Sequence, residues 1–91
     1  MVSVLINRMS ASQGSASAQY ELGILYQNGQ GVDQSYERAA EYYEAAARQG
    51  MADAQFLLSG LYCNGQGVDQ NYERAAEYLE AAAKQGDADA Q

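Results

Sequence analysis

Few residues of this 91-residue chain are of types that do chemistry. Histidine is absent, which removes the commonest general base, the usual triad partner and the commonest metal ligand. Cys63 is the single thiol. No cationic residue adjoins it in the sequence, so the thiolate that a cysteine nucleophile needs has no activator. Cys63 is expected to be an inert free thiol, open to oxidation or an intermolecular disulfide, and it has no intrachain partner. Asp33 with Glu37, and Asp69 with Glu73, place two carboxylates at each loop, short of the six to eight oxygens that calcium takes. Helix capping accounts for them better. Gly29-Gln30-Gly31 is superficially like a phosphate cradle, yet it follows a helical pattern and lacks the third glycine and the lysine of such loops. No catalytic, metal-binding or cofactor-binding residue is therefore expected, and the chain is read as a non-enzyme.

Composition narrows the partner classes. Twelve acids stand against five bases, a formal charge of −7, which opposes the phosphate backbone that a nucleic-acid binder must neutralise. The longest apolar run near the start, Val4 to Ile6, is too short for a secretory signal core and is followed by Arg8. No stretch approaches the length of a membrane span, so no direct insertion is expected. A lone cysteine makes a reducing, cytoplasmic location the default. At 47% hydrophobic, the chain can build one modest core if its parts stack.

The parts are repeats. Displaced by 36 residues, Gly14–Gln55 falls on Gly50–Gln91 with only 11 of 42 aligned positions different. Full units cover residues 15–50 and 51–86; residues 1–14 precede them and 87–91 follow. In the first unit Ala18, Leu22, Leu25 and Tyr26 fall on one stripe of a helix over residues 15–28, here helix A. Asn28-Gly29-Gln30-Gly31 breaks it. Ser35 and Asn71 are good N-caps for a second helix, helix B, with Glu37 and Glu73 in its first turn. Tyr36, Ala39, Ala40, Tyr43 and Ala47 make its apolar stripe, and Gly50 and Gly86 supply stops. The alanine runs and Gly23 let the axes approach closely, and the tyrosines fill the gaps between layers. One such hairpin cannot bury its own apolar face; stacking does.

Leu22-Gly23, Tyr26, Gly29-Gln30-Gly31-Val32, Ser35-Tyr36-Glu37-Arg38-Ala39, Ala45-Ala46-Ala47 and Gly50 resemble the Sel-one-like repeat (SLR), a relative of the tetratricopeptide repeat. Departures are few: Leu58-Ser59 replaces the Leu-Gly pair, and the aromatic position is Tyr throughout. The resemblance implies an all-α fold, an α/α superhelix or solenoid of TPR-like hairpins, acting as a scaffold for protein complexes. Some secreted bacterial relatives are described as β-lactam hydrolases, but those carry paired cysteines in each repeat, which this chain lacks. Two other readings stay open: a passive spacer inside a larger repeat protein, and the hydrolase.

Residues 1–13 align with helix B and are expected to form a divergent cap, a disordered leader being the alternative. Asp87-Ala88-Asp89-Ala90-Gln91 reads as the first turn of a third unit. That leaves the last stacking face uncovered, as in a piece of a longer array or a chain that associates end to end with another copy.

Variation between the copies locates a docking face. Seven of the 11 differences fall in helix A, at positions 15, 17, 20, 21, 23, 24 and 27. Most share one arc of the helix, opposite the constant Ala18, Leu22, Leu25 and Tyr26. In tetratricopeptide-like solenoids the matching positions line the concave surface. The expected site for a protein or peptide partner is therefore Ser17, Tyr20, Ile24 and Gln27 with Asp53, Phe56, Gly60 and Cys63, bordered by Glu21 and Leu57. The alternative is that these residues pack against the neighbouring helix A. Glu37, Glu41, Glu44, Glu73, Glu77 and Glu80 lie on the far side of helix B as a solvated outer face, with Glu44–Arg48 and Glu80–Lys84 in favourable i, i+4 order.

Overall fold

The computed structural model describes residues 2–90, with side chains described from Val4 to Gln85. Five helices follow one another: α1 Val2–Ser12, α2 Ala16–Asn28, α3 Tyr36–Arg48, α4 Ala52–Asn64 and α5 Tyr72–Ala90. Among the described residues there is no strand. Each helix packs against the next in sequence, giving an all-α solenoid of stacked hairpins. Its shortest dimension, 17 Å between Cα atoms, is about that of two helices side by side at the usual axial separation of roughly 9 Å.

Local chemistry sets the boundaries. The side chains of Ser15, Ser35 and Asn71 accept hydrogen bonds from the amides of Ala18, Arg38 and Arg74 at 3.2, 3.1 and 3.0 Å, satisfying helix donors that have no partner within the helix. α2 and α4 end at Gly29 and Gly65, whose φ values of 68° and 66° only glycine adopts freely. The amide side chains of Gln34 and Gln70 then donate to the Gln27 and Cys63 carbonyls at 2.8 and 2.9 Å, closing both helix ends in the same way.

Leu22, Ala39, Tyr43, Ala46, Ala54 and Leu58 are sealed from solvent. The expected stripes account for most of this core, with Leu25 and Tyr36 half-buried at its edge. α1 seats Val4 in the core while Leu5, Ile6 and Met9 stay exposed.

Two features differ from the expected pattern. The stripe of α5 is only partly buried: Ala75 is covered, but Tyr72, Ala76 and Leu79 are exposed. Their counterparts belong to α3, which packs against both α2 and α4, whereas among the described residues α5 packs chiefly against α4. Gly86 also fails as a stop, because α5 continues to Ala90. At Gly50 the chain turns at φ 90° and α4 repays the reversal by packing onto α3. At Gly86 no such turn forms, and the continued helix keeps the backbone hydrogen-bonded. The side chains of 86–91, and with them the expected start of a third unit, lie outside the described residues.

Candidate functional site

The eight expected docking residues divide by unit. On α2, Ser17 is exposed, whereas Tyr20, Ile24 and Gln27 are half-buried, with Tyr20 and Ile24 packed against the core. On α4, Asp53, Phe56 and Cys63 are exposed and Gly60 is half-buried. The difference accords with the stack: among the described residues the first hairpin has neighbouring helices on both sides, whereas α5 packs chiefly against α4. Glu21 is exposed and Leu57 half-buried.

Phe56, Gly60, Cys63 and Gln27 come together along one groove of about 460 Å³, whose opposite wall is Tyr72, Ala76 and Leu79 of α5. None of its lining residues is charged, although the chain as a whole is strongly acidic. Phe56, Tyr72 and Leu79 present 58%, 66% and 48% of their surface to solvent, a concentration of exposed apolar area that marks docking surfaces. Phe56, Gly60 and Cys63 on the α4 wall are among the residues expected from the sequence to dock a partner, whereas Tyr72, Ala76 and Leu79 on the α5 wall read as core by analogy with Tyr36, Ala40 and Tyr43.

Beside this groove the first hairpin is locked. Tyr43 lies against Tyr20, ring centroids 6.1 Å apart, and donates its hydroxyl to Gln27 Oε1 at 2.7 Å. Burial pushes the Tyr43 hydroxyl well above its ordinary range, with Tyr20 adding to the shift; burial and the Asp53 carboxylate raise Tyr20 as well. A Cβ at Gly23 would enter the Tyr43 ring. Gly23 is thus the socket for Tyr43, and in the second unit both positions change together, to Ser59 and Leu79.

A glutamine relay ties each hairpin to the preceding helix B. Gln49 donates to Gln19 at 2.9 Å, and Gln19 donates to the Ala11 carbonyl at 3.4 Å. One unit later Gln85 donates to Gln55 at 2.9 Å, and Gln55, itself buried, donates to the Ala47 carbonyl at 3.2 Å. The constancy of these glutamines in both copies was the sequence signal for them. The outer acids are exposed apart from Glu44, which is half-buried between Arg48 at 3.4 Å and Arg74 at 4.0 Å; it joins α3 to α5 as well as solvating the surface. Among the described residues no group of three potential ligands could hold a metal, and no helix is long and apolar enough to cross a membrane.

The geometry agrees with known proteins. The Sel1 repeat family matches the chain twice, over residues 16–51 and 52–87, one residue later than the units read from the period. A Sel1 repeat protein from Oxalobacter formigenes is 39% identical over 82% of this chain and 31% of its own, with a TM-score of 0.78. A protective antigen of uropathogenic Escherichia coli strains, displaying an SLR fold, is 39% identical over 88% of this chain and 17% of its own, TM-score 0.86. Helicobacter pylori cysteine rich protein B is 26% identical over 89% of this chain and 61% of its own, TM-score 0.85. The chain thus spans less than two thirds of each of these proteins. No curated protein matches it. Two stacked 36-residue hairpins with matching turn glycines and tyrosine pairs, together with a match over both units, place this chain in the Sel1 repeat family.

Proposed function

We propose that the chain is a non-catalytic protein-interaction scaffold whose docking face is the exposed side of α2 and α4, centred on the groove between α4 and α5. The observation that carries this reading is the uncharged groove with Phe56 and Leu79 exposed at its walls. The occupant is an amphipathic α-helix of a partner protein. One unit earlier Ala40 and Tyr43 of α3 are buried, and α3 there packs against two helices, α2 and α4. An aromatic side chain on a rigid helix offers large contact area at low entropic cost, as interface anchors do.

Phe56→Asp places a charge in the groove without touching the core. We expect unchanged helical circular dichroism and melting, with at least a tenfold loss of affinity for any partner held by the wild type, as for truncating an anchor worth roughly 2 kcal/mol. Unaltered binding by the folded variant, measured by calorimetry, would retire the site. A second copy of the chain seated on the same face would appear as a sedimentation mass that rises with concentration.

A further inference from the structure

The 36-residue period makes positions 8, 44 and 80 equivalent, and likewise 38 and 74. The second set holds Arg in both units; the first holds Arg8, then Glu44 and Glu80. At the seam between α3 and α5, Arg74 lies over the Tyr62 ring at 5.7 Å, Tyr62 stacks on Tyr78 at 5.9 Å, and the Glu44 carboxylate stands 4.0 Å from Arg74. At the seam between α1 and α3 the same frame recurs. Arg38 lies over Tyr26 at 5.5 Å and Tyr26 stacks on Tyr42 at 5.7 Å. Here the position of Glu44 is taken by Arg8, which donates to the Tyr26 hydroxyl at 2.6 Å.

Two guanidinium groups therefore meet at one tyrosine, and among the described residues neither pairs with a carboxylate within 4.0 Å. They border a recess of about 280 Å³, completed by Ala11, Gln19, Tyr42 and Glu41. Glu41 offsets one positive charge and leaves one, in a chain whose overall charge is −7.

We propose that this recess binds a carboxylate, the acidic side chain of a partner protein, which gives Arg8 and Arg38 the counter-charge that Glu44 gives Arg74 one seam later. Planar guanidinium forks match a carboxylate in geometry, the aromatic ring fixes one fork in place, and the single net charge suits a monoanion better than a dianionic phosphate. The site lies between α1 and α3, away from the α4–α5 groove, and does not depend on the docking face proposed above.

The test follows the arginine Nε–Hε resonances of the full chain by NMR at constant ionic strength, replacing chloride with acetate, with an acetylated glutamate-containing peptide, or with inorganic phosphate. Acetate and the peptide are expected to shift Arg8 and Arg38 saturably, half-saturating on the order of 10 mM or below, while Arg74, already served by Glu44, stays still. Arg8→Glu, which installs the arrangement of the second seam, should abolish the response at Arg38. Arg8→Gln, which keeps length and polarity, should weaken it roughly tenfold. Unsaturable drift of all the arginines together, a saturable response that survives Arg8→Glu, or tighter binding of phosphate than of acetate would overturn the assignment.

Discussion

Gly67→Ala is expected to lower the free energy of unfolding by roughly 3–5 kcal/mol, among the largest effects of any single methyl group in this chain. Two causes add. Gly67 has φ 76°, a left-handed conformation in which an L side chain costs about 1–2 kcal/mol. Its Cβ would also press on the main chain at the start of α3, with the Glu37 nitrogen at 2.6 Å. A neighbouring side chain could rotate aside; the first turn of a helix cannot. Gly67 is where the loop of the second unit lies on α3 of the first, so the substitution forces the stack apart. Gly50→Ala is the control. Its φ of 90° is equally left-handed, but a Cβ there meets nothing within 4 Å, so only the conformational cost of about 1–2 kcal/mol applies. Urea unfolding followed by circular dichroism should rank the two variants in that order. Equal midpoints would show that the close approach at Gly67 is not what joins the units.

The second large effect is a coupling. Gly23→Ser alone should destabilise by roughly 2–3 kcal/mol, because the added atoms meet a Tyr43 ring with no room to move. Tyr43→Leu alone should cost roughly 2–4 kcal/mol through lost volume and the lost hydrogen bond to Gln27. Together they reproduce the Ser59 and Leu79 combination of the second unit. The double variant should be more stable than the sum of the single effects by about 1 kcal/mol or more, the size expected of residues in contact. Strict additivity in the double-mutant cycle would mean that the paired differences between the units are unrelated.

Much of the fold was legible because its determinants are local and repeated. Ser35 and Asn71 mark helix starts by their own side chains, Gly29 and Gly65 mark ends by their backbone freedom, and the 36-residue period shows which positions stay constant. Gly67 was legible as a turn glycine only; that it also touches α3 depends on how two hairpins settle against each other. The Gln19–Gln49 and Gln55–Gln85 relays link residues 30 apart, and polar side chains on a helix give no periodic signal until a partner is known. Gly86 misled because glycine permits a left-handed stop without requiring one, and α5 runs on through it. On α4, Phe56, Gly60 and Cys63, singled out because they differ from their counterparts, line one groove. Tyr20 and Ile24 sit closer to the core than their variability suggests.

The central claim, that the α4–α5 groove receives a helix, is tested most directly by adding to the isotope-labelled chain a synthetic peptide with the sequence of α4, Ala52–Asn64, serine replacing its cysteine. That sequence packs against α3 within the chain itself. The account predicts amide shifts that saturate and cluster at Gly60, Cys63, Tyr72 and Leu79, and that disappear in Phe56→Asp. Shifts that are absent, scattered over α1 and α2, or undiminished in Phe56→Asp would contradict it.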